Sequence, residues 1–256
     1  MGQELTKRQK NIYDTIINTP YTTLQDLSEL FGISESTVRR EISVLDQRGM
    51  VNVISGMVVT RKTVETSFEA RNILRSDVKE RIARAAVQFA CSNESNYISG
   101  GSTMFKFAQA LAQQEDFTSS TIITATINIA RCFQNRFDMR VIVAGGYFKD
   151  ENETMQSYMT TELLKTFNYQ KMFVSCAGVT ADFGVMHGSP ELAQMEKQVV
   201  ANSREIIVVA DSSKIGRYST AALCPIQRIS TLITDDAADP NALDAIRAQG
   251  VQVVTV

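Results

Sequence analysis

Apolar positions in the first sixty residues recur at helical spacing, then give way to a short β-branched stretch. Ile12, Ile16 and Ile17 share one face of a helix that Thr6 is placed to cap. Leu24, Leu27, Leu30 and Phe31 mark a second helix. It is opened by Thr23-Leu24-Gln25-Asp26, a capping box with Asp in place of Glu, and ended by Gly32. Ser34 caps a third helix, in which Val38, Ile42 and Leu45 stand at i, i+4 and i+7 and form the buried stripe. That helix runs to Arg48 and stops at Gly49. Met50 to Arg61 is rich in Val, turns at Ser55-Gly56, and reads as a two-stranded wing.

Residues 62–76 are polar and lack a period, so they read as a linker. From Asp77 onward helical stretches alternate with short β-branched strands. The strands are expected at Tyr97–Ser99, Thr121–Ala125, Arg140–Ala144, Met172–Cys176, Ile206–Ala210, Thr231–Thr234 and Val251–Val256. The fold class is therefore α/β. A winged helix-turn-helix over 1–61 precedes a C-terminal α/β domain over 77–256, whose sheet is mainly parallel.

Composition narrows the function. Of 256 residues, 44% are hydrophobic and 21% charged, which suits a soluble globular protein. The net charge of -2 leaves nucleic-acid binding to a local basic face rather than to the total. Cys91, Cys132, Cys176 and Cys224 stand apart, with no C-x-x-C pair, and fit a reducing cytosol. His187 is the only histidine, so a His-based metal site or a Ser-His-Asp triad has little to work with. No metal and no cofactor is expected. The polar Met1–Lys10 segment is not a secretory leader, and runs such as Ile206–Ala210 are too short to span a bilayer. A cytoplasmic protein without membrane contact is expected.

The third helix carries the first candidate chemistry. At about 100° per residue, Ser36, Arg40 and Ser43 fall opposite the apolar stripe, with Arg39 on the flank. Arg bonds guanine bidentately and Ser donates or accepts, a combination suited to the major groove. The helix start, Ser34 to Thr37, suits a phosphate, and Lys7, Arg8 and Lys10 are placed for backbone phosphates. An Arg-Arg pair alone would be an ordinary solvated face. The order of helix, Gly turn, Ser-capped helix and wing points instead to reading of duplex DNA.

Small and polar residues cluster just after the expected strands: Ser99-Gly100-Gly101-Ser102-Thr103, Thr124-Ala125-Thr126, Gly145-Gly146, Ala177-Gly178 and Asp211-Ser212-Ser213-Lys214. Ligands of open α/β sheets bind beyond the carboxyl ends of the strands, so these loops are expected to converge on one crevice. Gly100 and Gly101 allow close backbone approach. Ser102 and Thr103 open a helix, where N–H groups and hydroxyls face an anion together, and Lys214 adds a point charge. Gly145 and Gly146 serve equally well as plain turn formers. His187 reads as a loop histidine, Glu191, Glu196 and Lys197 as a solvated helix face, and Cys176 as core.

Ser34-Glu35-Ser36-Thr37-Val38-Arg39-Arg40-Glu41, with Leu45 and Gly49, resembles the recognition-helix signature of the DeoR family of bacterial transcription regulators. Glu65-Thr66-Ser67-Phe68-Glu69-Ala70-Arg71 matches that family's Glu-x-x-Phe-x-x-Arg segment, and Lys79 and Ile82-Ala83 continue the match. Asp211-Ser212-Ser213-Lys214-Ile215-Gly216 matches its Asp-x-Ser-Lys-Phe-Gly. The resemblance covers essentially the whole chain. It implies a sensor domain similar in fold to ribose-5-phosphate isomerase, a phosphorylated sugar or related effector, operator DNA as partner, and a homo-oligomer. Effector contacts are then expected from Ser99, Gly100, Gly101, Ser102, Thr103, Thr124, Thr126, Gly145, Gly146, Gly178, Asp211 and Lys214. There are departures. Glu41 stands where the family has Asp, and Gly56 alone matches its Gly-Gly wing. Ser99 replaces an acid and Ala125 an amide, which alters the part of the site that meets the sugar. Two rivals stay open: a sugar-phosphate isomerase-like enzyme with Asp211 as base, and a constitutive DNA-binding protein with an inactive sensor.

Overall fold

The computed structural model describes residues 5–19, 22–54, 56–60, 68–149 and 152–256, and the chain divides into two units, Met1–Leu74 and Arg75–Val256. The expected wing residues Ser55 and Arg61, and Glu65-Thr66-Ser67 of the family match, lie outside the described residues.

In the first unit, helix α1 (Lys7–Asn18) starts at a capping box of Thr6 and Gln9. Strand β1 (Thr22–Thr23) leads into α2 (Leu24–Phe31), whose Thr23–Asp26 box forms as expected and which ends at Gly32, φ 61°. Helix α3 (Glu35–Gln47) is capped by Ser34. Ile12, Ile16, Leu27, Val38, Ile42 and Leu45 are buried together. Ile17 and Leu30, expected on the buried faces, point to solvent instead. Each lies one residue from the face's centre line, and that step of about 100° carries it off a narrow contact. Strands β2 (Val51–Ile54) and β3 (Met57–Thr60) form the antiparallel wing, and β1 pairs with β3 as a third strand. Two threonines carry no period, so the sequence holds no sign of β1. The segment expected as a linker holds a further helix, α4 (Phe68–Ile73), with Phe68 and Ala70 buried.

The second unit contains α5 (Ser76–Val87), β4 (Ser95–Ile98), α6 (Ser102–Ala112), β5 (Thr121–Thr124), α7 (Ile127–Cys132) and β6 (Arg140–Val143). The hairpin β7 (Phe148–Lys149) and β8 (Thr154–Met155), helix α8 (Tyr158–Lys165) and strand β9 (Tyr169–Ser175) follow. Next come β10 (Gly178–Thr180), β11 (Gly184–His187), α9 (Pro190–Ala201), β12 (Ser203–Val209) and β13 (Ala221–Cys224). The chain closes with β14 (Thr231–Thr234), α10 (Pro240–Arg247) and β15 (Gln252–Thr255).

The seven expected strands form one seven-stranded sheet in the order β15-β14-β12-β9-β4-β5-β6. Every neighbouring pair is parallel. Side chains alternate between two cores: Tyr97 and Met172 enter one, Ile98 and Phe173 the other. The strand order reverses between β4 and β9, and ligands of open α/β sheets bind beyond the carboxyl ends of the strands at such a switch point. Strands β10, β11 and β13 form a separate antiparallel sheet that the sequence pattern does not anticipate. No helix among the described residues is long and apolar enough to cross a membrane.

Candidate DNA-reading face and effector crevice

On α3, Ser34, Ser36, Arg39, Arg40 and Ser43 are exposed and Thr37 is half-buried. Lys7 is exposed at the start of α1. Ser34 Oγ accepts from Thr37 N at 3.3 Å and lies 2.9 Å from both the Ser36 and Thr37 hydroxyls, so the hydroxyl cluster at the helix start is pre-arranged. Arg39 pairs with Glu35 at 3.7 Å, an exposed contact that is readily exchanged for another anion. Arg40 has no side-chain partner among the described residues. Glu41 has a structural role, because its carboxylate accepts from Gln9 Nε2 at 2.9 Å and lies 3.6 Å from Arg8, tying α1 to α3. Arg8 is therefore partly engaged within the unit.

In the second unit, the loops after β4 and β5 and the carboxyl end of β9 meet. A Cβ on Gly100 would stand 2.8 Å from both Thr126 Oγ1 and Thr154 Oγ1. One on Gly101, at φ +110°, would stand 2.8 Å from Ser175 Oγ. Ser175 Oγ donates to Gly100 O at 3.0 Å, and the Thr126 and Thr154 hydroxyls are 2.9 Å apart. Gly101 is the N-cap of α6 and offers no side-chain cap, which leaves the first-turn N–H groups at Ser102 and Thr103 without a partner from the cap residue. Thr124 and Thr126 are buried, with Thr124 Oγ1 accepting from Thr126 N at 3.1 Å.

The fifth loop lies beyond β12, the neighbour of β9. Asp211 caps the short turn Ser212–Lys214 and binds Arg75 at 2.7 Å. Burial alone would raise its carboxyl. Hydrogen bonds from Ser213, the charge of Lys214 and the Arg75 guanidinium together hold it below the ordinary range. Lys214 is half-buried, and its charge also acts on Cys176. Cys176 is partly buried as a residue, and desolvation of its thiol pushes it up to about 12, so it stays protonated at neutral pH.

Two glycine sites have a plain structural reason. A Cβ on Gly146 would fall 2.1 Å from Thr160 Oγ1, and Thr160 Oγ1 donates to Gly145 O at 2.8 Å, so this pair seats α8. Gly178 passes so close to Arg217 that a Cβ would lie 2.1 Å from its carbonyl oxygen.

Ser99 is turned inward: its hydroxyl donates to Glu196 Oε1 at 2.6 Å and the residue is buried. Glu196 is not on a solvated face, as expected, but wholly buried. His187 is not a loop residue but closes β11, buried, with Nε2 2.8 Å from Glu196 Oε2. A single polar position on an otherwise mixed helix gives no sign of inward orientation. Sequence reasoning also passes over Thr154, Ser175, Arg75 and Asn128. Asn128, in the first turn of α7, is buried with neither amide atom partnered among the described residues. The open hollows near Thr121, Asp138 and Arg140 lie at the opposite ends of β5 and β6.

Residues 8–63 match the DeoR-like helix-turn-helix domain, and residues 74–236 match the DeoR C-terminal sensor domain. The chain is 24% identical to a putative aga operon transcriptional repressor of Escherichia coli O157:H7, covering 98% of this chain and 93% of that one. It is 22% identical to the glycerol-3-phosphate regulon repressor of Escherichia coli K12, covering 97% and 98%. The full-length sorbitol operon regulator SorC of Klebsiella pneumoniae superposes with a TM-score of 0.45 at 10% identity, over 96% of this chain and all of that one. Matches to both halves of the molecule place this chain in the DeoR family of DNA-binding transcription regulators, which are not enzymes.

Proposed function

We propose that this regulator represses a carbohydrate-catabolic operon and answers to a phosphorylated sugar or related metabolite. The relatives named as repressors of the aga operon and the glycerol-3-phosphate regulon support the operon class. The head, 1–61, reads duplex operator DNA through Ser34, Ser36, Thr37, Arg39, Arg40 and Ser43, with Lys7 on a phosphate. Residues 62–76 join it to the sensor, 77–256. A homo-oligomer presents two heads to paired half-sites, as helix-turn-helix proteins commonly do. A cytoplasmic location goes with this role.

The observation that carries the sensor reading is the meeting of Gly100, Gly101, Thr126 and Ser175 at the switch point of the sheet. A phosphate there would receive N–H groups from Gly101, Ser102 and Thr103, hydroxyls from Thr124 and Thr126, and charge from Lys214. Asp211 keeps the Lys214 turn in shape. Ser99 acts from beneath, through Glu196. Gly145, Gly146 and Gly178 shape the rim.

The test is a thermal-shift screen of pentose, hexose and triose phosphates beside their dephosphorylated forms, followed by operator binding with each hit. A ligand at 100 times its Kd stabilises the protein by about 2.7 kcal/mol. Stabilisation by a phosphorylated compound that also changes operator affinity is expected. Equal responses to both forms overturn the phosphate reading, and no response from any compound favours the constitutive binder.

A further inference from the structure

Directly beneath the first crevice loop lies a closed polar cluster. Glu196 of α9 is wholly buried, and Oε1 accepts from Tyr97 OH at 2.9 Å and from Ser99 Oγ at 2.6 Å. Its other oxygen lies 2.8 Å from His187 Nε2. Tyr97 lies on β4, Ser99 directly follows that strand, and Gly100 and Gly101 come at once after Ser99. From this arrangement we infer that Glu196 and His187 are positioning residues that make anion binding in the crevice proton-linked: the sensor takes up a proton on the His187–Glu196 pair as the anion binds. The inference rests on reading the loop after β4 as the anion-holding loop.

The electrostatic reason is simple. With His187 neutral the pair carries one buried negative charge, and with His187 protonated it carries none. A bare carboxylate beside a loop that receives an anion repels it in a medium where screening is weak. Protonation removes that repulsion, so bound anion favours the protonated pair. By linkage, affinity is highest at low pH and falls as pH rises through the pair's titration. Ser99 also ties the carboxylate to the backbone of the loop, so the charge change reaches the site through one hydrogen bond.

The surroundings single out His187. Tyr97 from β4 is pushed far above its usual range by burial and by the Glu196 charge, so it stays a donor. Tyr169 of β9, whose ring packs on Tyr97, is likewise held protonated by burial. Burial keeps Cys176, just past β9, and Cys224 of β13 in the thiol form. On α9 itself Glu191 and Lys197 are exposed. Lys214, beyond β12, acts on Asp211 and Cys176. Among the described residues, His187 is the sole cationic candidate in contact with Glu196.

His187 is also the only histidine in the chain, so its imidazole gives a single, unambiguous NMR signal. The experiment titrates full-length protein with inorganic sulfate, which keeps its charge throughout the range, between about pH 5.5 and about pH 8.5. Sulfate affinity is expected to fall on the order of tenfold across this range, and sulfate should shift the His187 titration upward. Glu196→Gln removes the buried negative charge and should bind sulfate more tightly than the wild type at the alkaline end of the range. His187→Gln should bind weakly at every pH. Either variant suffices if the other does not fold. Sulfate binding that is independent of pH in the wild type overturns the proton linkage and leaves the anion site standing. No sulfate binding at any pH overturns both.

Discussion

Gly100 and Thr126 approach so closely that a methyl group on the first would collide with the hydroxyl of the second, at 2.8 Å. Their loops follow adjacent strands, and this contact sets the spacing between them. Gly100→Ala must push Thr126 and Thr154 aside together. Both are buried, so neither is a flexible surface group that yields at little cost. A destabilisation of about 1–3 kcal/mol is expected, typical of overpacking, together with a weakened effector response. Denaturant unfolding and effector titration of the same variant measure the two effects. Unchanged stability would mean that the two loops part freely.

Arg40 stands exposed on the face of α3 opposite Val38, Ile42 and Leu45. Arg40→Ala is expected to cost about 1–3 kcal/mol of operator affinity and to relax the sequence preference at one base pair. Lys7→Ala should weaken all duplexes alike and lower the salt slope by about one. Fluorescence anisotropy on specific and scrambled duplexes at several salt concentrations separates these outcomes. Equal operator affinity of Arg40→Ala and wild type would remove Arg40 from base reading.

The head and the parallel sheet were legible because their signals are local. Thr6, Thr23 and Ser34 cap helices through bonds to residues three positions on, within the span of a sequence motif. The seven strands announce themselves as β-branched runs, and each stands within a few residues of its expected limits. Glu196, by contrast, is held by partners 97 and 99 residues away, Ser99 just past β4 and Tyr97 on it. No periodicity in α9 reports that pairing. The places of Ser175 and Thr154 are hidden in the sequence for the same reason: each acquires its place only when a neighbouring segment brings Gly100 or Thr126 to it. The convergence of glycine and hydroxyl loops was readable, whereas the inward turn of Ser99 was not.

Asp211 gives a pH dependence with a definite sign. Its carboxyl sits below the ordinary value in the folded chain, because bonds from Ser213, the charge of Lys214 and the Arg75 guanidinium outweigh burial. A group depressed on folding contributes stability above its unfolded value, about 3.9, and loses it as pH falls through the folded value. The wild type is therefore expected to lose stability below about pH 4 more steeply than Asp211→Asn, which has no such charge to protonate. Thermal melts of both proteins from neutral to acid pH test this. Parallel melting curves would show that the Arg75 and Ser213 contacts do not favour the ionised form.

Asn128, two residues after Thr126, yields a trade between stability and function. Its carboxamide is buried at the start of α7, with both polar atoms unpartnered among the described residues. A buried polar atom that stays unpaired costs about 1–3 kcal/mol. Helical side chains lean toward the helix N-terminus, which for α7 is the Thr126 loop. Asn128→Leu preserves the approximate volume and removes the unsatisfied groups. It should raise stability by about 1 kcal/mol while reducing the effector's ability to shift operator binding. Asn128→Asp, which places a charge in the same position, should lose both. Denaturant melts beside operator titrations with and without the effector decide the matter. A destabilised Asn128→Leu would mean that an internal water or another group already satisfies the amide. A stabilised variant with a full effector response would remove Asn128 from the ligand's neighbourhood.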